Sequence, residues 1–206
     1  MTPAAALILA STSRYRRELL SRLRLLFDVV APDVDESALP GEALPQLALR
    51  LALAKAHAVS RQRTRAVVIG SDQVAELDGH ALGKPGTHER AVQQLRSMRA
   101  RTVLFHTAVA VVRSDPGFER TAQCSVRVRF RDLGDDEIEH YLRAEQPYDC
   151  AGSAKSEGLG ISLLDAIESD DPTALIGLPL IRTAELLRQA GIDPLRTAAP
   201  GPAAGP

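Results

Sequence analysis

The sequence contains few aromatic residues and few cysteines. It has no tryptophan, three tyrosines, four phenylalanines and two cysteines in 206 residues. Cys124 and Cys150 lie far apart and form no C-x-x-C pair, which argues against a structural zinc site and against a disulfide framework. A reducing compartment is the simplest setting for such a chain.

Positive charge is not in excess either. The chain has 25 Lys and Arg against 26 Asp and Glu, for a formal net charge of -1. A dedicated nucleic-acid-binding protein normally shows a clustered basic excess and aromatic side chains for stacking. We therefore expect no nucleic-acid partner.

Long hydrophobic runs are absent as well. The apolar run within residues 1–10 spans about seven residues and has no basic segment ahead of it. A membrane-spanning helix needs about 20 apolar residues, and a signal peptide begins with a basic region. We expect no membrane partner and a cytoplasmic location.

Lysine is rare in this chain, because only Lys55, Lys84 and Lys155 are lysines among the 25 basic residues. Where arginine is the usual basic residue, a lysine marks a position where a compact ammonium is preferred to a planar guanidinium. Lys84 and Lys155 both fall in glycine-containing loops. The pattern favours phosphate contacts there, and solvated surface lysines are the alternative.

Strand and helix patterns alternate along the chain. They predict strands at 7–10, 27–31, 66–70, 102–112, 121–130 and 161–167, and helices at 14–26, 44–61, 89–98 and 135–144, with a last helix ending near 190. This order indicates an α/β fold with a mixed twisted sheet flanked by helices. We expect one domain over residues 1–196 and a disordered Ala/Pro/Gly tail over 197–206.

The first polar cluster follows the first predicted strand. Hydroxyl residues at 11–13 precede a helix that begins with Arg14, Tyr15, Arg16 and Arg17. Cations at a helix N-terminus oppose the helix dipole by about 0.3–1 kcal/mol, whereas backbone N–H groups and guanidinium groups together bind phosphate well. The cluster indicates an anion site, and an ordinary helix cap with solvated arginines is the alternative.

Two acidic segments could take part in chemistry. Asp72 follows the apolar strand that ends at Gly70, a rigid position suited to a general base or a metal ligand. A helix or turn cap is the alternative for Asp72. The run 33–36, which ends in Glu36, could bind a hard divalent cation or be a solvated loop. The five histidines show no metal-ligand spacing.

Seven motifs in a fixed order suggest a family. They are Leu7-Ile8-Leu9-Ala10-Ser11-x-Ser13-x-x-Arg16-Arg17, Asp33-x-Asp35-Glu36, Ala54-Lys55-Ala56, Ile69-Gly70-Ser71-Asp72-Gln73, Gly83-Lys84-Pro85, Ala151-Gly152 and Gly177-Leu178-Pro179. Together they resemble the Maf family of nucleoside triphosphate pyrophosphatases. The resemblance implies a Maf/inosine-triphosphatase-like fold with a deep central cleft. It also implies hydrolysis of a nucleoside triphosphate to the monophosphate and pyrophosphate.

The resemblance also assigns roles to residues. Asp72 matches the proton acceptor of the family. The matched polar and basic phosphate-binding positions are Ser11, Arg16, Arg17, Lys55 and Lys84. A divalent cation, Mg²⁺ or Mn²⁺, is the implied cofactor, with Asp72 and Glu36 as its predicted protein ligands.

Three further positions resemble the 7-methyl-GTP subfamily. Relatives that act on dTTP and UTP tend to have Thr after the catalytic Asp and Gln in the Ala-Gly loop, where this chain has Gln73 and Glu157. Tyr15 stands at the aromatic position of the 7-methyl-GTP subfamily. A carboxylate accepts the N1–H and N2–H of guanine, and an aromatic face attracts a cationic methylated ring by about 0.5–2 kcal/mol.

The expected function is therefore hydrolysis of 7-methyl-GTP to 7-methyl-GMP and pyrophosphate, which removes a modified nucleotide from the pool. One alternative is a dTTP/UTP pyrophosphatase of the same family, and another is a nucleotide-binding regulator of septum formation that binds without turnover. The expected partner is a nucleotide, and a homodimer is possible for this family.

Overall fold

The computed structural model describes residues 6–197. Its strands are β1 (Leu7–Ala10), β2 (Asp28–Val30), β3 (Val67–Leu77), β4 (His80–Leu82), β5 (Thr102–Arg113), β6 (Phe118–Phe130) and β7 (Leu164–Glu168). Its helices are α1 (Arg14–Ser21), α2 (Leu44–Ser60), α3 (His88–Met98), α4 (Asp135–Glu145), α5 (Leu180–Gln189) and α6 (Pro194–Thr197). Thr197 thus ends a short helix, and the rest of the predicted tail lies outside the described residues.

The strands form one mixed sheet, as predicted. Its order is β2-β1-β3-β5-β6-β7, and β4 pairs with the far end of β3. Strand β1 runs parallel to β2 and β3, whereas the other pairs are antiparallel. On one side of β3, residues 67–70 pair with β1 and residues 75–77 pair with β4. Residues 71–74 pair only with β5, so the sheet has a gap beside them.

Helix α2 covers one face of the sheet. Its inward stripe repeats at helical spacing and consists of Leu47, Ala48, Leu51, Ala52, Lys55, Ala56 and Val59. Gly70 lets this helix approach β3 closely, because a Cβ at Gly70 would lie 2.2 Å from the Ala52 carbonyl oxygen and 2.6 Å from the Ala56 nitrogen. The approach brings Lys55 over the sheet.

The remaining long helices cover the opposite face. Helices α1 and α5 bury Leu19, Leu20 and Leu187 against β1, β3 and β5. Helices α3 and α4 pack over the other end of the sheet, where Phe130 is completely buried. Helices therefore flank both faces, as the sequence predicted. Within residues 6–197 no helix has both the length and the apolarity that crossing a bilayer requires.

Several predicted boundaries were wrong. Helix α1 ends at Ser21 rather than at 26, because the chain turns there and Arg24 has a positive φ of 54°. Strand β3 continues to Leu77 instead of stopping at Gly70. Asp72 therefore lies inside a strand, held there by pairing with β5, and not at a strand end. The last predicted strand begins at Leu164 rather than at 161, after a short 3-10 helix.

We expect Gly70→Ala to lower the melting temperature, because the new methyl group would collide with the α2 backbone. Overpacking of this kind costs about 1–3 kcal/mol, and each kcal/mol corresponds to about 2–4 °C for a chain of this size. Thermal unfolding measures the effect. Gly117→Ala is the control, since no atom lies within 4 Å of its added Cβ. Equal melting temperatures for the two variants would contradict the close approach of α2.

Candidate active site

A cleft of about 660 Å³ opens beside the gap in the sheet. The residues after β1 form one wall, and β4 with the following loop forms another. Asp72, Gln73 and Val74 of the one-sided stretch of β3 lie at the bottom. The cleft therefore exists because two short strands pair with β3 at separate places and leave the segment between them open.

Asp72 lies deep in this cleft and contacts two basic side chains. Its Oδ1 accepts a hydrogen bond of 2.6 Å from the Lys55 Nζ, and the Arg16 Nη2 lies 4.0 Å from the same oxygen. The Lys55 Nζ also lies 2.7 Å from the Glu36 Oε1. One ammonium thus joins two carboxylates. A buried charge is tolerated only with such partners, and Lys55 and Asp72 are both more than 90% buried.

The loop that carries Glu36 is held against α2 by one arginine. Arg50 donates from Nε to Glu42 at 2.6 Å and from Nη2 to the Ser37 carbonyl at 2.9 Å. The hydrogen bond from Arg50 lowers the pKa of Glu42 to about 2. Partial burial opposes ionisation of Glu36, but the hydrogen bond and charge of Lys55 outweigh it and lower the pKa of Glu36. Both carboxylates therefore carry charge at neutral pH.

Arg16 is fixed by the turn before α5. Its Nε donates to the Gly177 carbonyl oxygen at 2.9 Å, and the Ser71 hydroxyl donates to the same oxygen at 3.0 Å. Gly177 has a φ of 121°, which only glycine adopts readily. Burial lowers the pKa of Arg16, while the charges of Asp72 and Glu36 act in the opposite direction. The guanidinium is thereby aimed at the Asp72 end of the cleft.

Gln73 anchors the same turn from the sheet. Its Nε2 lies 3.0 Å from the Thr107 Oγ1 and 2.9 Å from the carbonyl oxygens of Ala174 and Leu175. These acceptors satisfy both amide hydrogens. Any contact of Gln73 with a base must therefore use its Oε1, and the predicted role of Gln73 in specificity stays a prediction.

A second group of cleft residues, which shares no hydrogen bond with Asp72 or Lys55, has a different chemistry. Tyr15 donates from its hydroxyl to Asp149 at 3.3 Å and accepts from the Cys150 thiol at 3.4 Å. Burial raises the pKa of Cys150 to about 11, so the thiol stays protonated at neutral pH and is no nucleophile. Desolvation raises the pKa of Glu157, which also lines the cleft.

Three of the predicted phosphate-binding residues lie in different places relative to the cleft. Lys84 is exposed and lines the cleft. Ser11 is buried behind the wall, where its Oγ accepts from the Ser13 backbone N–H at 3.1 Å, and it does not line the cleft. Arg17 is exposed and lines a separate groove beside Glu18, because the helical turn points it away from Asp72.

Two other predicted sites are corrected by their contacts. Lys155 does not line the cleft, because its Nζ donates to the Glu145 Oε1 at 2.7 Å. Of the acidic run 33–36, only Glu36 lines the cleft. Asp35 instead accepts a hydrogen bond from the Ser37 backbone N–H at 2.9 Å, and the side chain and the backbone of Ser37 together lower the pKa of Asp35.

One residue that joins two loops of the site was not predicted from the sequence. Gln94 of α3 donates from Nε2 to the Gly83 carbonyl at 2.9 Å, next to Lys84. Its Oε1 accepts from the Ser153 hydroxyl at 2.6 Å. Gln94 thus joins the Lys84 loop to the loop that leads to Glu157. No local signal marks Gln94, because both partners are distant in sequence.

The carboxylates fit a divalent cation that is shared with a substrate. Within the described chain no group of three or more His, Cys, Asp and Glu side chains has the arrangement of a metal site. Asp72 and Glu36 nevertheless contact one common ammonium. Mg²⁺ commonly takes one or two carboxylates and completes its coordination with phosphate oxygens and water. The donor set fits that kind of binding and not an all-protein cage.

The sequence matches the family described as "Maf-like protein" over residues 6–190. The chain belongs to this family. It is 67% identical over 193 residues, 93% of this chain and 88% of the relative, to a 7-methyl-GTP pyrophosphatase of Polaromonas sp. strain JS666. It is 66% identical over 189 residues, 92% of this chain and 95% of the relative, to one of Albidiferax ferrireducens.

A more distant similarity comes from a solved structure. The Staphylococcus aureus Ham1 protein is 15% identical and superposes with a TM-score of 0.49, covering 94% of this chain and 93% of its own. The family membership of this chain rests on the sequence match over residues 6–190.

We expect Gln94→Leu to loosen both loops that Gln94 holds. Loss of its two hydrogen bonds, each worth about 0.5–1.5 kcal/mol, should speed amide hydrogen exchange around Gly83 and Ser153. Gln93→Leu, an exposed neighbour on the same helix, is the control for the change in polarity. Equal exchange in the two variants would show that Gln94 does not hold these loops.

Proposed function

We propose that this Maf-family chain hydrolyses 7-methyl-GTP to 7-methyl-GMP and pyrophosphate. The observation that carries the proposal is the contact of Asp72 with Lys55 in a cleft that Tyr15 and Glu157 also line. A nucleotide likewise joins an anionic triphosphate to a base. The names of the relatives from Polaromonas and Albidiferax support this substrate.

In the proposed reaction, Asp72 accepts a proton from a water molecule that attacks phosphorus at the α–β anhydride bond. That bond breaks in line with the attack, and pyrophosphate leaves with the bridging oxygen. Lys55 and Arg16 stabilise the negative charge that develops on the phosphate oxygens. Lys84, exposed on the other wall, reaches the outer phosphates. Phosphoryl transfer depends mainly on such positioning and charge stabilisation.

The proposed cofactor is Mg²⁺ or Mn²⁺, held by Asp72 and Glu36 together with the triphosphate. When bound, it neutralises phosphate charge as a Lewis acid. The Lys55 ammonium keeps the two carboxylates close together without the ion. The chain itself thus positions the two carboxylates that would hold the ion.

Base recognition is assigned to the second group of cleft residues. The Glu157 carboxylate accepts the paired N1–H and N2–H donors of guanine, whereas the carbonyl oxygens of uracil and thymine would be repelled. A dTTP/UTP pyrophosphatase is therefore not favoured. A septum regulator that binds without turnover is not favoured either, because the relatives from Polaromonas and Albidiferax are named as pyrophosphatases. The homodimer and the cytoplasmic location stay predictions.

The purified protein with Mg²⁺ or Mn²⁺ should release pyrophosphate from 7-methyl-GTP in preference to GTP, UTP and dTTP. Asp72→Asn should lower kcat by about 10²- to 10⁴-fold, the usual contribution of a general base. Asp28→Asn, an exposed carboxylate on β2, is the matched control. A preference for UTP or dTTP would contradict the proposed substrate, and full activity of Asp72→Asn would exclude Asp72 as the base.

Glu157→Gln should reduce the preference for 7-methyl-GTP over UTP, because the amide no longer repels pyrimidine carbonyls. In the wild type, KM for 7-methyl-GTP should rise on acidification. Since the pKa of Glu157 is raised, its carboxylate is lost at a higher pH than an ordinary glutamate. Glu157→Gln should remove this part of the KM–pH profile. A substrate preference and a KM–pH profile unchanged in the variant would refute the role of Glu157.

A further inference from the structure

A cation already lies on the aromatic ring in the cleft. The Arg14 Cζ lies 4.8 Å from the centroid of the Tyr15 ring, within cation–π distance. Arg14 also donates from Nη2 to the Tyr15 hydroxyl at 2.7 Å, and this nitrogen lies 3.6 Å from the Asp149 carboxylate. A planar, delocalised cation thus contacts the Tyr15 ring, the Tyr15 hydroxyl and the carboxylate to which that hydroxyl donates.

These contacts hold Arg14 only weakly. Its side chain is 69% exposed and that of Asp149 is 55% exposed, and ion pairs this open to water are weak. Arg14 is also the first residue of α1, where a positive charge opposes the helix dipole. A ligand of the same chemistry can therefore displace Arg14 at low cost.

We propose that Tyr15 and Asp149 form a subsite for a planar cationic base, and that Arg14 occupies it until the nucleotide enters. The inference rests on the proposed function, because the 7-methylguanine ring is such a base: methylation at N7 gives it a delocalised positive charge. It stacks on Tyr15 in place of the guanidinium, and its charge faces Asp149. Neutral guanine can stack but has no charge to match Asp149.

The hydroxyl of Tyr15 fixes the orientation of its ring. The hydroxyl donates to Asp149 and accepts from the Cys150 thiol. These partners belong to the loop before Ala151, so α1 and this loop hold the ring from two sides. The orientation of the ring therefore does not depend on Arg14, and the subsite remains when Arg14 moves away.

Binding of the product 7-methyl-GMP, compared with GMP, tests the subsite without turnover. By titration calorimetry on the full chain, Arg14→Gln should bind 7-methyl-GMP about three- to tenfold more tightly than the wild type. GMP should gain less, because it benefits from the vacated ring but not from the unpaired Asp149. Asp149→Asn should reduce the preference for 7-methyl-GMP by about three- to tenfold.

Two variants control for the change in net charge. Arg22→Gln removes a cation at the other end of α1, where Arg22 pairs with Glu18 at 3.6 Å. Asp165→Asn removes an exposed carboxylate that pairs with Arg129, also at 3.6 Å. Both should leave the two affinities unchanged. Equal shifts in these controls would overturn the inference, because they would show an effect of overall charge.

The remaining outcomes separate the subsite from the reaction. Weaker binding of 7-methyl-GMP to Arg14→Gln would make Arg14 a ligand contact and overturn its role as a displaced occupant. An unchanged preference in Asp149→Asn would overturn the role of Asp149. If the variants behave as expected but the wild type hydrolyses no triphosphate, the subsite stands and the proposed function fails. If the wild type is active but the variants bind like the wild type, the proposed function stands and the subsite fails.

Discussion

The contact between the Lys55 ammonium and the Asp72 carboxylate is the interaction on which the rest of the site depends. Each charge would be costly to bury alone, and removal of either one would leave the other without its partner. The pair forms only because α2 lies unusually close to β3, which the absence of a side chain at Gly70 permits. Glu36 then joins the same ammonium from the surface. The close packing of α2 on β3 is therefore what brings the charged groups of the site together.

The gap in the sheet explains why this buried pair is also accessible. A strand bonded on both sides would leave little room next to Asp72, whereas residues 71–74 are bonded only to β5. Pairing with β5 keeps the backbone rigid, and the missing neighbour leaves room for a ligand. Arg16 enters this space from the segment after β1, and Lys84 from the segment after β4. Both cations thus come from chain segments that border the same gap.

Local sequence patterns predicted most of the fold. The features that they did not predict depend on contacts between residues distant in sequence. Alternating strands and an apolar helical stripe mark β5 and α2 clearly. The continuation of β3 beyond the apolar run that ends at Gly70 was not predicted, because polar Asp72 and Gln73 follow and line a cleft. Lys84 and Lys155 lie in similar glycine-containing loops, and the sequence alone does not distinguish them. In the structure Lys84 lines the cleft, whereas Lys155 donates to Glu145. Helix phase also separates Arg17, which lines another groove, from its neighbour Arg16 in the cleft.

The basic start of α1 is unfavourable for the helix dipole, and the structure shows how it is tolerated. Arg14 is balanced by Asp149, and Arg16 by a carbonyl oxygen and by Asp72. Neither balance comes from the helix itself, so both depend on loops brought to the cleft by the fold. The arginines differ in burial: Arg16 is enclosed and fixed, and Arg14 is exposed. In the proposed function a fixed cation suits the triphosphate that all candidate substrates share, and the proposed displacement of Arg14 suits the base, in which they differ.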